Sequence, residues 1–230
     1  MKKQMTDNYY ASRKPKLLRS FDKTVNAVKE VFASRYGEEF ADAILKGARK
    51  EFEAIIPQIP YIGGNVPALR VFLMISAWEL SVYKAMKKHG KTAKEAWEVC
   101  HEALQVRLKT VPKFVGSLLK AYFFSNFAKR RARKIAEQTQ KHPLGEWAFT
   151  FVEGDGKNFD FGIDYTGCSI LKFMQDQGAK EFAPYVCFSD IALSDTFGWG
   201  LIRTETLAEG FQRCDFRFKK GGKTQISSTV

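Results

Sequence analysis

No stretch of this 230-residue chain stays apolar for the roughly 20 residues that a membrane span needs. The longest apolar stretch of note, Val71 to Trp78, is far shorter, and the polar start Met1-Lys2-Lys3-Gln4 leads into no hydrophobic leader. The expectation is a soluble, cytoplasmic protein. Histidine is scarce: there are three, and none lies beyond position 145. Cysteine is scarce too, with four residues and no C-x-x-C pair, so metal ligation is weakly signalled. Without a secretory signal these cysteines are expected as reduced thiols. A phosphate-cradling glycine loop and a G-x-S-x-G nucleophile elbow are both absent, which removes those two routes to an activity.

What is present is a globular composition, 45% hydrophobic and 27% charged, with 20 Phe to fill a core. The net charge of +12 is unevenly placed. Residues 1–144 hold 28 Lys/Arg against 13 Asp/Glu, and residues 145–230 hold 9 against 12. That break suggests two regions with different jobs. A basic half attracts nucleic acid, anionic membrane or small anionic substrates, although solubility alone is the commoner reason for it.

Residues 1–19 are basic without an apolar period and read as a loosely held arm. From Ser20 to about Ile56 the period is helical, carried by Phe21, Val25, Val28 and Phe32, then by Phe40, Ile44, Ala48 and Phe52, with a break at Gly37. Pro57 to Gly64 reads as a loop. Asn65 with Pro67 opens a helix to about Lys88, apolar on most sides and therefore buried. Thr92-Ala93-Lys94-Glu95 is a capping box opening the next helix. A further helix from Lys113 carries Phe114, Leu118 and Tyr122 on one stripe, and ends in the run Lys129-Arg130-Arg131-Ala132-Arg133-Lys134. Such a run reads first as the solvated end of a helix, and second as a membrane-surface or RNA-binding face. After His142-Pro143 the period becomes two. Trp147, Phe149 and Phe151 alternate with Ala148, Thr150 and Val152, and Phe159, Phe161 and Ile163 follow a Gly154-Asp155-Gly156 turn. Two short helices (about 167–177 and 184–195) and two more strands (about 200–207 and 212–219) complete the pattern. The fold predicted is α+β: a helical domain over 20–144 packed with a domain over 145–220, and a tail over 221–230. The second domain is ββααββ, a four-stranded antiparallel sheet carrying two helices.

Three of the four cysteines fall in this second domain, at 168, 187 and 214. Cys168 and Cys187 are each read into the first turn of a helix, where free N–H groups and the helix dipole lower a thiol pKa. Asp190 follows Cys187 by three residues, so thiol and carboxyl share a helix face. On a strand, Cys214 points with Phe216 and Phe218 to the core, and Asp215, Arg217 and Lys219 point away. Taken singly, each cysteine is more often packing than chemistry. His101 beside Cys100 reads as structural.

The residues around these thiols also carry a resemblance. Asp164-Tyr165-Thr166-Gly167-Cys168, Pro184-Tyr185-Val186-Cys187-Phe188-Ser189-Asp190, Thr206-Leu207-Ala208-Glu209-Gly210 and Cys214-Asp215-Phe216-Arg217-Phe218 follow in that order. With Ile59-Pro60-Tyr61-Ile62-Gly63-Gly64 and Ala77-Trp78-Glu79-Leu80-Ser81 upstream, the chain resembles the L-2-amino-thiazoline-4-carboxylic acid hydrolase family over about 30–220. Ser169 follows Cys168 where members of that family often have proline. The resemblance implies hydrolysis of a carbon–nitrogen, non-peptide bond in a small cyclic amidine, the name-giving reaction opening an aminothiazoline ring to N-carbamoyl-cysteine. The Cys187, Asp190 and Cys214 set is also similar to the two-thiol-plus-Asp site of organomercurial lyases, as a matter of layout. On this reading Cys187 is the nucleophile, Asp190 the general acid/base and Cys214 a second thiol of the site. Arg203 takes the substrate carboxylate, and Cys168 and Tyr165 complete the substrate site. A small-molecule substrate is expected, with no cofactor, no metal, no nucleic acid and no membrane partner. Two other readings stand beside it: a ligand-sensing module whose basic half contacts nucleic acid or a partner, and a three-thiol site for a soft metal such as zinc.

Overall fold

The computed structural model describes residues 9–63 and 66–227. The chain forms two compact units, Met1–Arg107 with Lys172–Val186, and Leu108–Leu171 with Cys187–Val230. The predicted boundary near 144 therefore moves. The helices after residue 108 belong with the sheet, and a short segment near 180 belongs with the N-terminal helices.

The first unit is helical: α1 (Lys14–Asn26), α2 (Lys29–Tyr36), α3 (Glu38–Ile55), α4 (Pro67–Lys88) and α5 (Ala93–Lys109). Of the arm expected over 1–19, residues 1–8 lie outside the described residues. Ala11–Arg13 is a 3-10 turn and α1 begins at Lys14, so the remainder is helix. Pro15 in the first turn, where no N–H is needed, and the buried Tyr10 explain the order there. On α3, Ala41, Ile44, Leu45, Ala48 and Phe52 repeat at helical spacing and are all buried. Phe52 stacks on Phe21 at 4.9 Å, with Trp78 of α4 edge-on to both. The close α3–α4 approach is made at Gly47, where a Cβ would already stand 3.3 Å from that of Ala85. The capping box forms as expected. Thr92 Oγ1 accepts from the Glu95 N–H at 3.2 Å, and Glu95 Oε2 accepts from the Thr92 N–H at 2.8 Å. Asn65, expected to cap α4, lies outside the described residues. Segment 172–186 is held in this unit by Phe182 stacked on Tyr83 at 4.5 Å, and by Lys87 donating to Glu181 at 2.5 Å.

In the second unit, α6 (Lys113–Phe123) and α7 (Asn126–Lys141) replace the single helix expected there. Ser125 interrupts it: its Oγ accepts from the Ala128 N–H at 3.1 Å and starts α7 afresh. The sheet follows with β1 (Ala148–Glu153) and β2 (Phe161–Gly167), joined where Asp155 Oδ1 accepts from the N–H groups of Lys157, Asn158 and Phe159. α8 (Ser169–Asp176) starts in this unit and runs into segment 172–186 of the first, which also holds α9 (Ala183–Val186). The second unit resumes with α10 (Ser189–Phe197), β3 (Leu201–Arg203), β4 (Cys214–Phe218) and β5 (Gln225–Ile226). The strand order is β1-β2-β4-β3-β5. Four strands pair antiparallel as predicted, but β5 joins β3 in parallel, so the sheet is five-stranded and mixed. No apolar alternation in the expected tail announces β5. Backbone pairing places it, with the Ser227 N–H donating to the Arg203 carbonyl at 3.0 Å.

The register sorts the side chains. Phe161, Ile163 and Tyr165 of β2 lie opposite Phe218, Phe216 and Cys214 of β4, so these six share one face. Asp164 and Gly162 lie opposite Asp215 and Arg217 on the other face, where Arg217 donates to Asp164 at 2.6 Å and Arg213 at 3.1 Å. Arg217 is thus kept from Cys214, as the strand period requires. Gly162 is needed there, because a Cβ would stand 2.6 Å from the Phe216 carbonyl oxygen and 2.7 Å from Arg217 Cδ. Gly162→Ala is expected to lower stability by about 1–3 kcal/mol, read as a lower urea midpoint with an unchanged slope.

Candidate functional site

The Cys214 face of the sheet carries the candidate site. Arg203 extends β3 past the Ile202–Arg217 pair, and its guanidinium lies 5.4 Å over the Phe216 ring. It is 1% exposed and donates through Nη1 to Asp190 Oδ2 at 2.5 Å and to the Cys187 carbonyl at 3.0 Å. One buried cation therefore fixes both the carboxyl of α10 and the backbone just before it. Its Nε is buried with no hydrogen-bond partner. A cation spent inward in this way is poorly placed to receive a substrate carboxylate, the role the sequence suggested for it. The strand period decides the matter, since it turns Arg203 to the same buried face as Leu201.

Cys168 sits at the junction of β2 and α8, and its sulfur accepts from the Leu171 N–H at 3.5 Å. The helix N-terminus expected there exists. Cys187 differs: it occupies the turn between α9 and α10, not a first helical turn, because α9 ends at Val186 and α10 begins at Ser189. Cys214 starts β4, and its sulfur accepts from the Leu207 N–H at 3.2 Å. The loop Thr206-Leu207-Ala208-Glu209-Gly210 is shaped for that contact. Thr206 Oγ1 caps its 3-10 turn, and Gly210, at φ 93°, closes it in a conformation glycine adopts freely.

The electrostatics join these groups into one site. Burial pushes the Asp190 carboxyl up from an ordinary 3.8 to about 6, against the opposing pull of Arg203. Burial pushes the Cys187 thiol well up, with Arg203 opposing and Asp190, Cys168 and Cys214 reinforcing. Burial raises Cys168 as well, partly offset by the N–H groups of Leu171 and Ile170. Cys214 is raised to about 12 by burial. Tyr165 is raised by burial first, then by Asp190, Cys168 and Cys214. The six residues named from the sequence, Tyr165, Cys168, Cys187, Asp190, Arg203 and Cys214, are therefore neighbours in space. The activated resting thiolate is not supported: desolvation outweighs the helix N-terminus at Cys168, the Arg203 charge at Cys187 and the Leu207 N–H at Cys214.

Sequence reasoning gave Trp147 no part in the site and named Ser169 only as a departure from the family. The Trp147 side chain is among the groups that hold the Cys168 thiol down against burial. Ser169 is fully buried and its Oγ accepts from the Glu146 N–H at 2.9 Å, so the residue standing in place of proline has a structural use. The polar pattern of 146–147 alone held no sign of either contact. Among the described residues, no group of three or more His, Cys, Asp or Glu is placed to hold a metal ion. Nor is any helix among them long and apolar enough to cross a membrane.

Fold and site together define an α+β protein with a cluster of three protonated thiols around one carboxylate–guanidinium pair. The profile of the L-2-amino-thiazoline-4-carboxylic acid hydrolase family matches residues 71–218, which include all six site residues, and the chain belongs to that family. No curated protein and no solved structure matches it.

Proposed function

We propose that the chain hydrolyses a small cyclic amidine, of the kind the family's name gives as substrate, and opens its ring at the amidine carbon. The observation that carries this reading is Asp190, held beside Arg203 with its proton affinity raised to about 6 and surrounded by thiols. Such a carboxyl is about nine-tenths ionised at neutral pH, yet still accepts and returns a proton readily. Chemistry at an amidine carbon needs both steps.

In a thiazoline the ring carbon between sulfur and nitrogen is electrophilic, more so when the amidine is protonated. Cys187 attacks it as Asp190 takes the thiol proton, so no resting thiolate is required. The ring bond that then breaks is carbon–sulfur, not the carbon–nitrogen bond the resemblance implied, since a carbamoyl product keeps both nitrogens, and Asp190 returns the proton to the departing sulfur. Water, losing its proton to Asp190, displaces Cys187 from the carbon and leaves a carbamoyl product, and the thiol recovers its proton. The net change is the addition of one water. Arg203 acts as a positioning residue that fixes the Asp190 carboxyl and the Cys187 backbone. Tyr165, Cys168 and Cys214 shape the substrate site.

The raised thiol of Cys187 favours a second route, in which Asp190 deprotonates a water that attacks the carbon directly and Cys187 only shapes the site. Both routes need Asp190 ionised. The rate at limiting substrate is therefore expected to rise along an acid limb centred near pH 6, not near the ordinary carboxylate value. The test is a panel of cyclic amidines led by 2-aminothiazoline-4-carboxylate, followed by loss of ring absorbance across pH 4.5 to 8. An active enzyme whose acid limb lies near pH 4 removes Asp190 from the base role, and no turnover of any ring amidine removes the activity.

A further inference from the structure

One surface of the second unit is unexplained by the site. Helix α6 is apolar around most of its circumference, yet none of its residues is buried. Phe123 packs inward on Trp199 at 4.7 Å and on Phe161 and Phe218. On the outer side Phe114, Leu118 and Tyr122 follow at four-residue spacing and are 68%, 65% and 51% exposed. The strip continues onto α7, where Tyr122 meets Phe127 at 6.3 Å and Phe127 is itself 65% exposed. From Phe127 the same helix face carries Arg130 and Lys134, both exposed, and Lys113 stands exposed at the far end. Singly exposed hydrophobics are ordinary, whereas a continuous strip of this kind marks a contact.

Charge says what covers it. Between Glu102 and Glu137 the chain has nine Lys/Arg and no acidic residue. A second copy docked face to face would bring two such segments together, so self-association is opposed. An anionic partner is favoured. Leu118 and Leu119 separate the ring of Phe114 from those of Tyr122 and Phe127, which breaks up a platform for stacked bases, and an apolar strip with cations at its ends matches the boundary of a lipid leaflet. We propose that this face of α6 and α7 seats on an anionic membrane surface. Phe114, Leu118, Tyr122 and Phe127 enter the acyl boundary, and Lys113, Arg130 and Lys134 stay at headgroup level. The association lies in the plane of the surface, as no described helix can span it.

The experiment is co-sedimentation of the full chain with phosphatidylcholine vesicles, with and without about one-third phosphatidylserine, at about 0.1 M salt. The chain is expected to pellet with the anionic vesicles at least about tenfold better than with the neutral ones. Phe114→Ser with Leu118→Ser, and separately Arg130→Gln with Lys134→Gln, should each reduce binding about tenfold, with circular dichroism and amidine turnover unchanged. Equal or absent pelleting with the two vesicles overturns the proposal. So does a dimer in solution that the Phe114→Ser, Leu118→Ser variant dissociates. Retardation of single-stranded RNA by a chain that ignores the vesicles overturns it too.

Discussion

Asp190→Asn is expected to lower turnover about a thousandfold and to erase the acid limb near pH 6. The amide keeps the size of the carboxyl and still accepts one hydrogen bond from Arg203, but it neither takes nor returns a proton. Cys187 should remain open to slow alkylation in this variant, and at a slightly lower pH, since Asp190 is one of the groups that raise its thiol. Cys187→Ser then separates the two routes. Attack by sulfur predicts a loss comparable to that of Asp190→Asn, because the serine hydroxyl is a far weaker nucleophile and needs a stronger base. Attack by water predicts a loss of less than about tenfold, as the hydroxyl fills nearly the same space. The measurement is single-mutant turnover with melting temperature on the same samples. Full activity in Asp190→Asn would sink the whole scheme.

Arg203→Met is expected to have the largest effect on stability. The guanidinium is 1% exposed, and its loss leaves Asp190 and the Cys187 carbonyl without their donor. Breaking a buried pair from one side costs about 3–5 kcal/mol, and the 33% exposure of the Asp190 side chain reduces that to roughly 2–3. The pH dependence has a definite sign. A carboxyl whose folded pKa of about 6 lies above its ordinary 3.8 contributes stability that is complete below the lower value. That stability is lost as pH rises to the higher one. Removing the Arg203 charge extends the window upward, so the variant should lose more stability at pH 7 than at pH 5. Adding Asp190→Asn to Arg203→Met should recover part of the loss, because it removes the stranded charge. Urea unfolding of the four proteins at both pH values checks this. A double variant less stable than Arg203→Met alone would show that the pair is not what stabilises this region.

The sequence by itself determined the elements whose signal is local. Helical spacing at Ala41, Ile44, Ala48 and Phe52 follows from a 3.6-residue turn, and the Thr92–Glu95 box from reciprocal capping. The β1–β2 hairpin follows from alternating aromatics around Asp155. The two faces of β4 followed from the strand period alone, which placed Cys214 inward and Arg217 outward. The motifs also named six residues that the fold gathers, since each lies in a short segment whose chemistry is visible without its neighbours. Tertiary structure decided what depends on distant partners. β5 exists because Gln225–Ile226 finds the free edge of β3, and backbone hydrogen bonds leave no mark in side-chain pattern. The helices after residue 108 join the sheet because Phe123 meets Trp199, Phe161 and Phe218, contacts that span about forty to ninety-five residues of chain. That the Phe114, Leu118 and Tyr122 stripe of α6 faces outward was decided only by the fold, because helical spacing does not say which side is covered. The thiols reversed their expected state for the same reason. The helix N-terminus at Cys168 was legible in sequence and the one expected at Cys187 is replaced by a turn, while desolvation is set by everything packed around the sulfur, and burial is the larger effect. Arg203 turned inward on the same principle. Strand position fixed its direction, and only the arrival of Asp190 and Cys187 from α10 and the turn before it made a buried guanidinium stable there.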